Sequence, residues 1–287
     1  MFKYFLFYLI KMKKLLLTSI LAAQAFFAHS QSYDPVKAHK QKGKIFISWG
    51  WNHSAYTHSD IHFKGDAYNF TLKNVVAKDR QTHFSARYFN PTKITIPQYN
   101  FRIGYFLNSK YSLSFGFDHM KYVMKQDQTV NIKGTIAETG TDYDKSYTNV
   151  PIKLTPDFLR LEHTNGLNYL NLEVRRMDNI FDQRTLKIKN IDINVIEGIG
   201  AGVLFPKSDV ALLNYAENDQ WHVAGYGIDL VTGLNITFFK HFFIQGEVKG
   251  GFINMPDILT THFTADRASQ HFFFAQGNVN FGVIFKL

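Results

Sequence analysis

The C-terminal stretch, His271 to Leu287, constrains the fold of this chain more than any other part of the sequence. Alternate side chains are apolar, and most of those between them are polar or small. This period of two predicts a β-strand with one apolar, aromatic face. A membrane barrel turns such a face to lipid, whereas a soluble β-sandwich would have to bury it, so the pattern favours a barrel wall. The apolar positions are Val279, Phe281, Val283, Phe285 and Leu287.

The same alternation recurs in seven earlier segments, at 45–51, 99–107, 113–117, 158–175, 191–203, 226–238 and 242–252. After the first 30 residues no apolar run is long enough to cross a bilayer as a helix. We therefore expect an all-β fold, an antiparallel transmembrane β-barrel of eight strands, with a soluble lipocalin-like barrel as the rival. Long segments follow the first, third, fifth and seventh strands. This predicts long extracellular loops, short periplasmic turns and both chain ends in the periplasm.

The N-terminus has the features of a signal peptide. Three lysines, at 11, 13 and 14, precede an apolar stretch that ends at Phe27, and Ala28-His29-Ser30 offers a cleavage site before Gln31. The initiator is Met1 or Met12, and an N-terminal membrane anchor is the alternative to a cleaved signal. We expect residues 1–30 to be the signal peptide, 31–43 a flexible periplasmic lead-in and 44–287 the barrel.

Composition excludes several classes of site. The chain has no cysteine, which excludes a lipoprotein anchor, disulfides and thiolate metal sites. The net charge of +9 falls to +5 without the four lysines of residues 1–30, and the remaining charges are scattered, so nucleic acid is not an expected partner. The loop histidines, including His53, His58, His62 and His83, have no chelating spacing, so we expect no metal and no cofactor.

Charged residues on the polar strand faces are predicted to point into the barrel. Both signs are present, and the interior of an eight-stranded barrel is just wide enough for side chains to fill. An ion-paired polar core is therefore expected, with a narrow solute channel as the alternative. The predicted interior residues are Arg102, Asp118, Asp229, Glu247, Lys249 and Lys286.

Two irregularities interrupt the pattern. In the fourth strand, residues 158–176, apolar residues change from odd positions such as Leu161 to even positions such as Leu172. A β-bulge that absorbs a one-residue slip is the preferred interpretation, and a hairpin at Asn165-Gly166 is the alternative. In the fifth strand Glu197 falls on the apolar face, so either a bulge turns it inward or it lies above the hydrocarbon.

Taken with the signal peptide and the C-terminal strand, this pattern resembles that of small Gram-negative outer-membrane β-barrel proteins over residues 44–287. The resemblance implies an outer-membrane location and assembly by the barrel-insertion machinery. That machinery would read Phe281, Val283, Phe285 and Leu287 of the last strand, although Leu287 stands where the family usually has Phe. Contact with outer-membrane lipid is implied as well.

This class of barrel also resembles outer-membrane enzymes that hydrolyse or transfer lipid acyl chains. Those enzymes carry a His and a hydroxyl residue on the barrel wall. Here the candidates are His163, Thr164 and Glu162, but Asn165 stands where the deacylase pattern has its Ser. We therefore assign no catalytic residue. The expected function is binding, adhesion or envelope structure without turnover, through loops that contact an unknown extracellular ligand.

Overall fold

A computed structural model of the chain describes residues 41–83, 85–90, 97–181, 188, 190–213 and 215–286. The predicted signal peptide and Leu287 lie outside these ranges. In the described part no helix is long and apolar enough to cross a bilayer. Within the described ranges a 3-10 turn, Ala86–Phe89, accompanies strands β1 Lys44–Tyr56, β2 Ser59–Lys64, β3 Tyr68–Val75, β4 Ala77–Lys78, β5 Tyr99–Phe106, β6 Tyr111–Met124, β7 Thr129–Ile136, β8 Lys145–Lys153, β9 Leu159–Phe181, β10 Ile191–Leu204, β11 Lys207–Leu212, β12 Asn218–Trp221, β13 Gly225–Phe238, β14 Phe242–Leu259 and β15 Arg267–Lys286.

Eight of these strands form a closed antiparallel ring in the order β1-β5-β6-β9-β10-β13-β14-β15, and β15 pairs back onto β1. They are the eight strands predicted from the sequence, so the predicted fold class is confirmed. The shear of the barrel can be read from the strand pairing. The row of paired residues that starts at Ile47 runs once round the ring and returns to β1 beside Thr57, ten residues further along the chain. The Thr57 N–H donates to the Phe273 carbonyl at 2.9 Å. Such a shear tilts the strands by roughly 40°.

The outer face of the ring is an apolar band. On β13 its exposed side chains extend from Tyr226 to Ile236, which is about 25 Å along the barrel axis at a rise of about 3.3 Å per residue. That is the height of the lipid-facing band of a membrane barrel. We call this part of the ring the membrane barrel. Its exposed apolar residues include Phe101, Ile103, Tyr105, Leu113, Phe115, Leu172, Val174, Ile199, Val203, Tyr226, Ile228, Leu230, Leu234, Ile236, Ile244, Val248, Val279, Phe281 and Val283.

At one end of the membrane barrel, several strands continue beyond the apolar band into a second region. There β15 is extended by the series β2-β3-β7-β8, β11 and β12 lie beside β9, and β4 lies beside β6. We call this region the outer cap. It comprises β2–β4, β7, β8, β11 and β12, together with β6 from Met120, β9 as far as Tyr169, β14 from Ile253 and β15 as far as Phe274.

The outer cap accounts for most of the segments predicted as loops. In the segment after the first predicted strand, β2 and β3 form a hairpin that turns at Gly65-Asp66. The long loop expected after the seventh strand is wrong in extent, because β14 continues to Leu259 and β15 begins at Arg267. Strand structure persists there because Met255, Ile258 and Ala268 are buried in an apolar core.

The inward face of the ring strands changes from polar to apolar where the membrane barrel passes into the outer cap. On β6, Ser114 and Asp118 are followed by Met120 and Tyr122, all buried. The same change occurs on three other strands: Glu173 and Asn171 to Tyr169 and Leu167 on β9, Lys249 to Ile253 on β14, and Gln276 to Phe274 on β15. Two interiors of opposite polarity are therefore built from the same faces of the same strands.

This change explains the irregularity of the fourth predicted strand. β9 is unbroken from Leu159 to Phe181, so the bulged strand is confirmed and the alternative hairpin is not formed. Leu161 is buried in the cap core, whereas Leu172 is exposed to lipid. Along β9 the apolar residues thus change from odd to even positions because the interior changes from apolar in the cap to polar in the membrane barrel.

The bulge itself leaves the facing of β9 unchanged. Tyr122 of β6 pairs with His163, and Met120 pairs with Leu167. Three β9 residues therefore stand opposite one β6 residue, and the two extra residues preserve the alternation. The predicted one-residue slip is wrong for this reason.

At the opposite end, a small apolar cluster lies inside the barrel. Phe46, Phe106, Phe243 and Ile284 are buried there, with half-buried Met177 against them. We call this cluster the periplasmic plug, since short turns face the periplasm in barrels of this kind. A void of about 20 Å³ above it has room for about one water molecule.

Candidate functional site

The interior of the membrane barrel holds a network of ion pairs. Lys249 Nζ lies 2.5 Å from Asp118 Oδ2 and 2.8 Å from Glu173 Oε1. Arg102 Nη2 lies 2.6 Å from the same Glu173 oxygen and donates to Asn171 Oδ1 at 2.7 Å. Four strands, β5, β6, β9 and β14, place these groups because each turns its polar face inward. We call the whole set of buried charged residues the ion network.

The ion network continues towards the periplasmic plug through Arg175. Its Nε donates to Glu173 Oε2 at 2.6 Å and its Nη1 to Glu247 Oε1 at 2.5 Å. Asn278 and Asn280 donate to the other Glu247 oxygen at 3.3 and 3.2 Å. Buried charges are costly unless they are paired and hydrogen-bonded, and these contacts provide both.

Glycines make room for this network. A side chain at Gly116 would collide with the Arg102 guanidinium, and one at Gly200 would collide with Glu173 and Asp229. Asp229 accepts a hydrogen bond from the Tyr169 hydroxyl at 2.7 Å. Side chains therefore fill the cross-section of the membrane barrel, as expected for a ring of eight strands.

Five of the six residues predicted to lie inside the barrel are buried there: Arg102, Asp118, Asp229, Glu247 and Lys249. Lys286 is exposed, so its predicted interior position is wrong. Its backbone pairs with Lys44 at the first residue of β1, where the ring ends and the side chain reaches solvent.

Glu173 and Arg175, which join the two halves of the ion network, were missed. The signal was present in the sequence. Leu170, Leu172 and Val174 face lipid, so the alternation assigns Asn171, Glu173 and Arg175 to the interior.

His163 lies in the apolar core of the outer cap and is completely buried. Its Nδ1 is 2.9 Å from Ser208 Oγ, and the Gln270 amide nitrogen donates to its Nε2 at 3.4 Å. The ring also packs against Tyr122 with centroids 5.6 Å apart. Burial lowers the pKa of the His163 imidazole to about 3, so the ring is neutral at physiological pH.

This serine–histidine contact lacks the features of an activated nucleophile. Because Gln270 donates to Nε2, the proton of the neutral ring is on Nδ1 and is donated to Ser208 Oγ. The imidazole therefore presents no acceptor to the serine hydroxyl. Both side chains are buried, and neither reaches lipid or solvent.

The other two candidate catalytic residues lie on the opposite face of β9. Thr164 Oγ1 donates to Glu162 Oε1 at 2.8 Å, and Glu162 forms an ion pair with Arg80 at 3.1 Å. Neither side chain contacts His163. The structure thus separates the three residues that the sequence placed together.

The histidines predicted in loops contact different partners. His53 lies 2.8 Å from Asp79, His62 2.8 Å from Asn69, and His222 2.8 Å from Asp257. Within the described ranges, no group of three or more His, Cys, Asp or Glu side chains could hold a metal ion.

The outer surface of the cap carries accessible polar groups. On one side, β11 and β12 carry carboxylates, and Arg160 of β9 lies 2.6 Å from Glu217 and 3.6 Å from Asp209. Burial and the adjacent Glu217 carboxyl raise the pKa of Asp209 to about 6.

On the other side, β8 is an edge strand that pairs with β7 alone in the described part of the chain. Most of its side chains are exposed, including Thr148 and Val150, while Tyr147 is buried in the cap core. Tyr147 therefore anchors β8 in the cap core, while the other side chains of the strand remain accessible.

Of the predicted assembly-signal residues, Phe281 and Val283 are exposed on the apolar band and Phe285 is half-buried near its edge. Leu287 lies outside the described residues. The closed ring with its apolar band is the architecture of bacterial outer-membrane proteins, and this chain is an integral outer-membrane β-barrel protein.

No family model and no curated protein matches the sequence. Solved structures with a similar arrangement include the outer membrane protein OprG from Pseudomonas aeruginosa, with 9% identity and a TM-score of 0.38 over 87% of this chain and 99% of that one. Neisserial surface protein A has 8% identity and a TM-score of 0.32 over 86% and 98%. Ail, the attachment invasion locus protein of Yersinia pestis, has 10% identity and a TM-score of 0.28 over 83% and 99%. These TM-scores are low, so the evidence for the barrel is the strand pairing of this chain itself.

Proposed function

We propose that this protein is a surface-binding barrel: the membrane barrel anchors the outer cap, and the cap binds an extracellular ligand without turnover. The observation that carries the proposal is the construction of the cap. It has its own apolar core, which includes Phe63 stacked on Phe70 with centroids 5.1 Å apart, and it holds the edge strand β8 in the open. A surface held rigidly before binding loses little conformational entropy when a partner docks.

The ion network argues against transport as the function. A pore needs a continuous aqueous path, whereas Lys249 of β14 is paired with Glu173 of β9 across the lumen and the periplasmic plug lies below them. Acyl hydrolysis is disfavoured as well, because His163 and Ser208 are buried and the neutral ring carries its proton on Nδ1, facing the serine.

Adherence of cells that display the full-length protein tests the proposal. We would measure attachment to immobilised polysaccharides and extracellular-matrix proteins, with the triple variant Asn131→Ala, Thr148→Ala, Val150→Ser as the comparison. These side chains are exposed on β7 and β8, so the variant should fold and lose at least tenfold in attachment. A matched triple variant, Lys42→Ala, Lys240→Ala, Lys286→Ala, changes the periplasmic end and should attach like the wild type.

Equal attachment by both variants and the wild type would contradict the proposal. Planar-bilayer recordings provide a second test. Steady single-channel steps from the wild-type protein would favour transport instead, because a sealed lumen should conduct no ions.

A further inference from the structure

We propose that the periplasmic rim of the membrane barrel binds an anionic phospholipid, whose phosphate contacts Lys44 and Lys240 and whose acyl chain occupies an apolar groove beside them. We call these two lysines and the groove the rim site. It is at the opposite end of the molecule from the outer cap, so the proposal does not depend on the function assigned to the cap.

The groove is on the outer wall of the barrel, where β13, β14 and β15 reach the periplasmic end. It has a volume of about 350 Å³, which is in the range of small-molecule pockets. Its walls are apolar and largely aromatic, so it is suited to hydrocarbon. The lining side chains include Phe238, Phe239, Phe242, Ile244 and Phe281.

Small residues continue this groove into the apolar band. Gly246 follows Ile244 on the outer face of β14, and Gly277 lies on the outer face of the adjacent β15. A Cβ atom at either glycine would meet open space, so packing within the protein does not require glycine there. The wall is therefore shallow from the groove towards the bilayer centre, and an acyl chain can lie along it.

The two lysines lie on neighbouring elements at the rim. Lys44 stands opposite Lys286 in the pairing of β1 with β15. Lys240 is in the turn between β13 and β14, and this turn joins β15 where the Ile284 N–H donates to the His241 carbonyl at 2.6 Å. The charges are thus at the rim and the groove leads from them into the band, which is the order of phosphate and acyl chain in the periplasmic leaflet.

This sector of the rim lacks carboxylate side chains. No Asp or Glu occurs in residues 44–56, 230–246 or 267–286, and Lys44 and Lys240 are close enough for their charges to repel each other. An anion between them would remove this repulsion, and a phosphate accepts charge-assisted hydrogen bonds from ammonium groups. A headgroup with a net negative charge is therefore favoured over a zwitterion, whose own ammonium the lysines would repel.

The turn between β13 and β14 supports the proposal in a different way. Phe239 and Lys240 both adopt the left-handed backbone conformation, which favours glycine over either residue. An aromatic ring and a cation are therefore kept there at the expense of stability. Lipid binding accounts for both, because the ring lines the groove and the lysine places a charge at its end.

The lipid-facing wall also carries Glu197, which is not part of the rim site. No register shift lies between Asn194 and Leu204 in the pairing of β10 with β9, so no bulge turns Glu197 inward. It lies between Val195 and the exposed Ile199 on the outer face, within the apolar band. Both expectations from the sequence, an inward bulge and a position above the hydrocarbon, are therefore wrong.

Native mass spectrometry of the full-length barrel in detergent, titrated with phosphatidylglycerol, phosphatidylethanolamine and phosphatidylcholine of matched chains, tests the proposal. We expect the wild type to retain phosphatidylglycerol about tenfold more strongly than the other two lipids. The double variant Lys44→Gln, Lys240→Gln should abolish this preference. The matched double variant Lys133→Gln, Lys145→Gln removes the same charge from exposed positions of the outer cap and should keep it.

A third variant tests the path of the acyl chain. Gly246→Leu should fold, because the position is open, and should weaken retention of phosphatidylglycerol at least threefold by filling that path. Heat-modifiable gel migration would confirm that each variant has folded.

Three results would overturn the proposal. One is equal retention of the three lipids by the wild type, and another is an unchanged preference in folded Lys44→Gln, Lys240→Gln. The third is loss of the preference in both double variants, which would show a general attraction to positive charge rather than a site.

Discussion

The membrane barrel and the outer cap share four strands but have opposite interiors. In the membrane barrel, lipid covers the apolar face, so polar side chains must turn inward and neutralise one another. In the outer cap, water covers the outside, so the same inward positions become apolar, as Asp118 and Met120 show on β6. The comparison teaches that the alternation of a strand defines its two faces, while the surroundings decide which face carries the polar residues.

The largest expected effect comes from removing the central cation of the membrane barrel. Lys249→Met would leave Asp118 without its ion pair and Glu173 with one fewer, at a cost of about 5 kcal/mol. Urea unfolding in detergent, followed by heat-modifiable migration, measures this loss. Lys286→Met is the matched control, because the exposed lysine at the rim should cost less than about 0.5 kcal/mol.

Removing an aromatic side chain from the outer cap should have a smaller and more local effect. Phe70→Ala deletes a buried ring packed against Phe63 and Phe158, at a cost of about 4 kcal/mol. We expect protease sensitivity to rise in the cap while the membrane barrel keeps its heat-modifiable migration. Joint loss of both regions would show instead that the membrane barrel and the outer cap unfold as one unit.

Acid should weaken the outer cap through His163. Its folded pKa of about 3 is below the ordinary value of about 6.5, so its contribution is complete above pH 6.5 and declines as the pH falls towards 3. The loss at pH 5 is about 2 kcal/mol. Hydrogen exchange of cap amides, corrected for intrinsic rates, measures it.

A His163→Gln variant should lose most of this pH dependence. Comparison with the wild type at each pH is necessary because Asp209 acts in the opposite direction. Its pKa is raised in the folded state, so it favours the folded cap as the pH falls through about 6. Identical pH profiles for the two proteins would remove the role assigned to His163.

The smallest expected effect is a gain at the periplasmic end. Phe239 and Lys240, in the turn between β13 and β14, have φ angles of 54° and 65°, a left-handed conformation that favours glycine. Lys240→Gly should stabilise the membrane barrel by about 1 kcal/mol in urea. Lys42→Gly, at a position outside the left-handed region, should give no such gain.

Sequence alternation was sufficient to predict the ring, since all eight strands cross a medium that requires an apolar outer face. It failed for the outer cap because water and an apolar core reverse that requirement, and a polar segment such as 125–157 then resembles a loop. Strand β7 alternates over eight residues only, and of the nine residues of β8 only Tyr147 is buried. Their pairing depends on long-range contacts with β3 that no local pattern reveals.

For the candidate sites, the facing of each residue was predictable and its partner was not. The alternation along β9 predicts that Glu173 points into the barrel. That Lys249 of β14 lies beside it follows only from the order of the strands in the ring. Similarly, nothing near His163 in the sequence indicates Ser208 of β11 as its neighbour. Glu197 was correctly identified as an anomaly, although its position in the lipid-facing wall depends on the register of β10.

The unbroken course of β9 has a mechanical consequence. Its 23 residues extend through both regions, a length of about 75 Å at 3.3 Å per residue. A force applied to the outer cap would load the hydrogen bonds between β9 and β6 along the strand direction, so that many bonds share the force. A barrel with one strand common to its anchor and its cap is thus suited to transmit force to the membrane without unfolding.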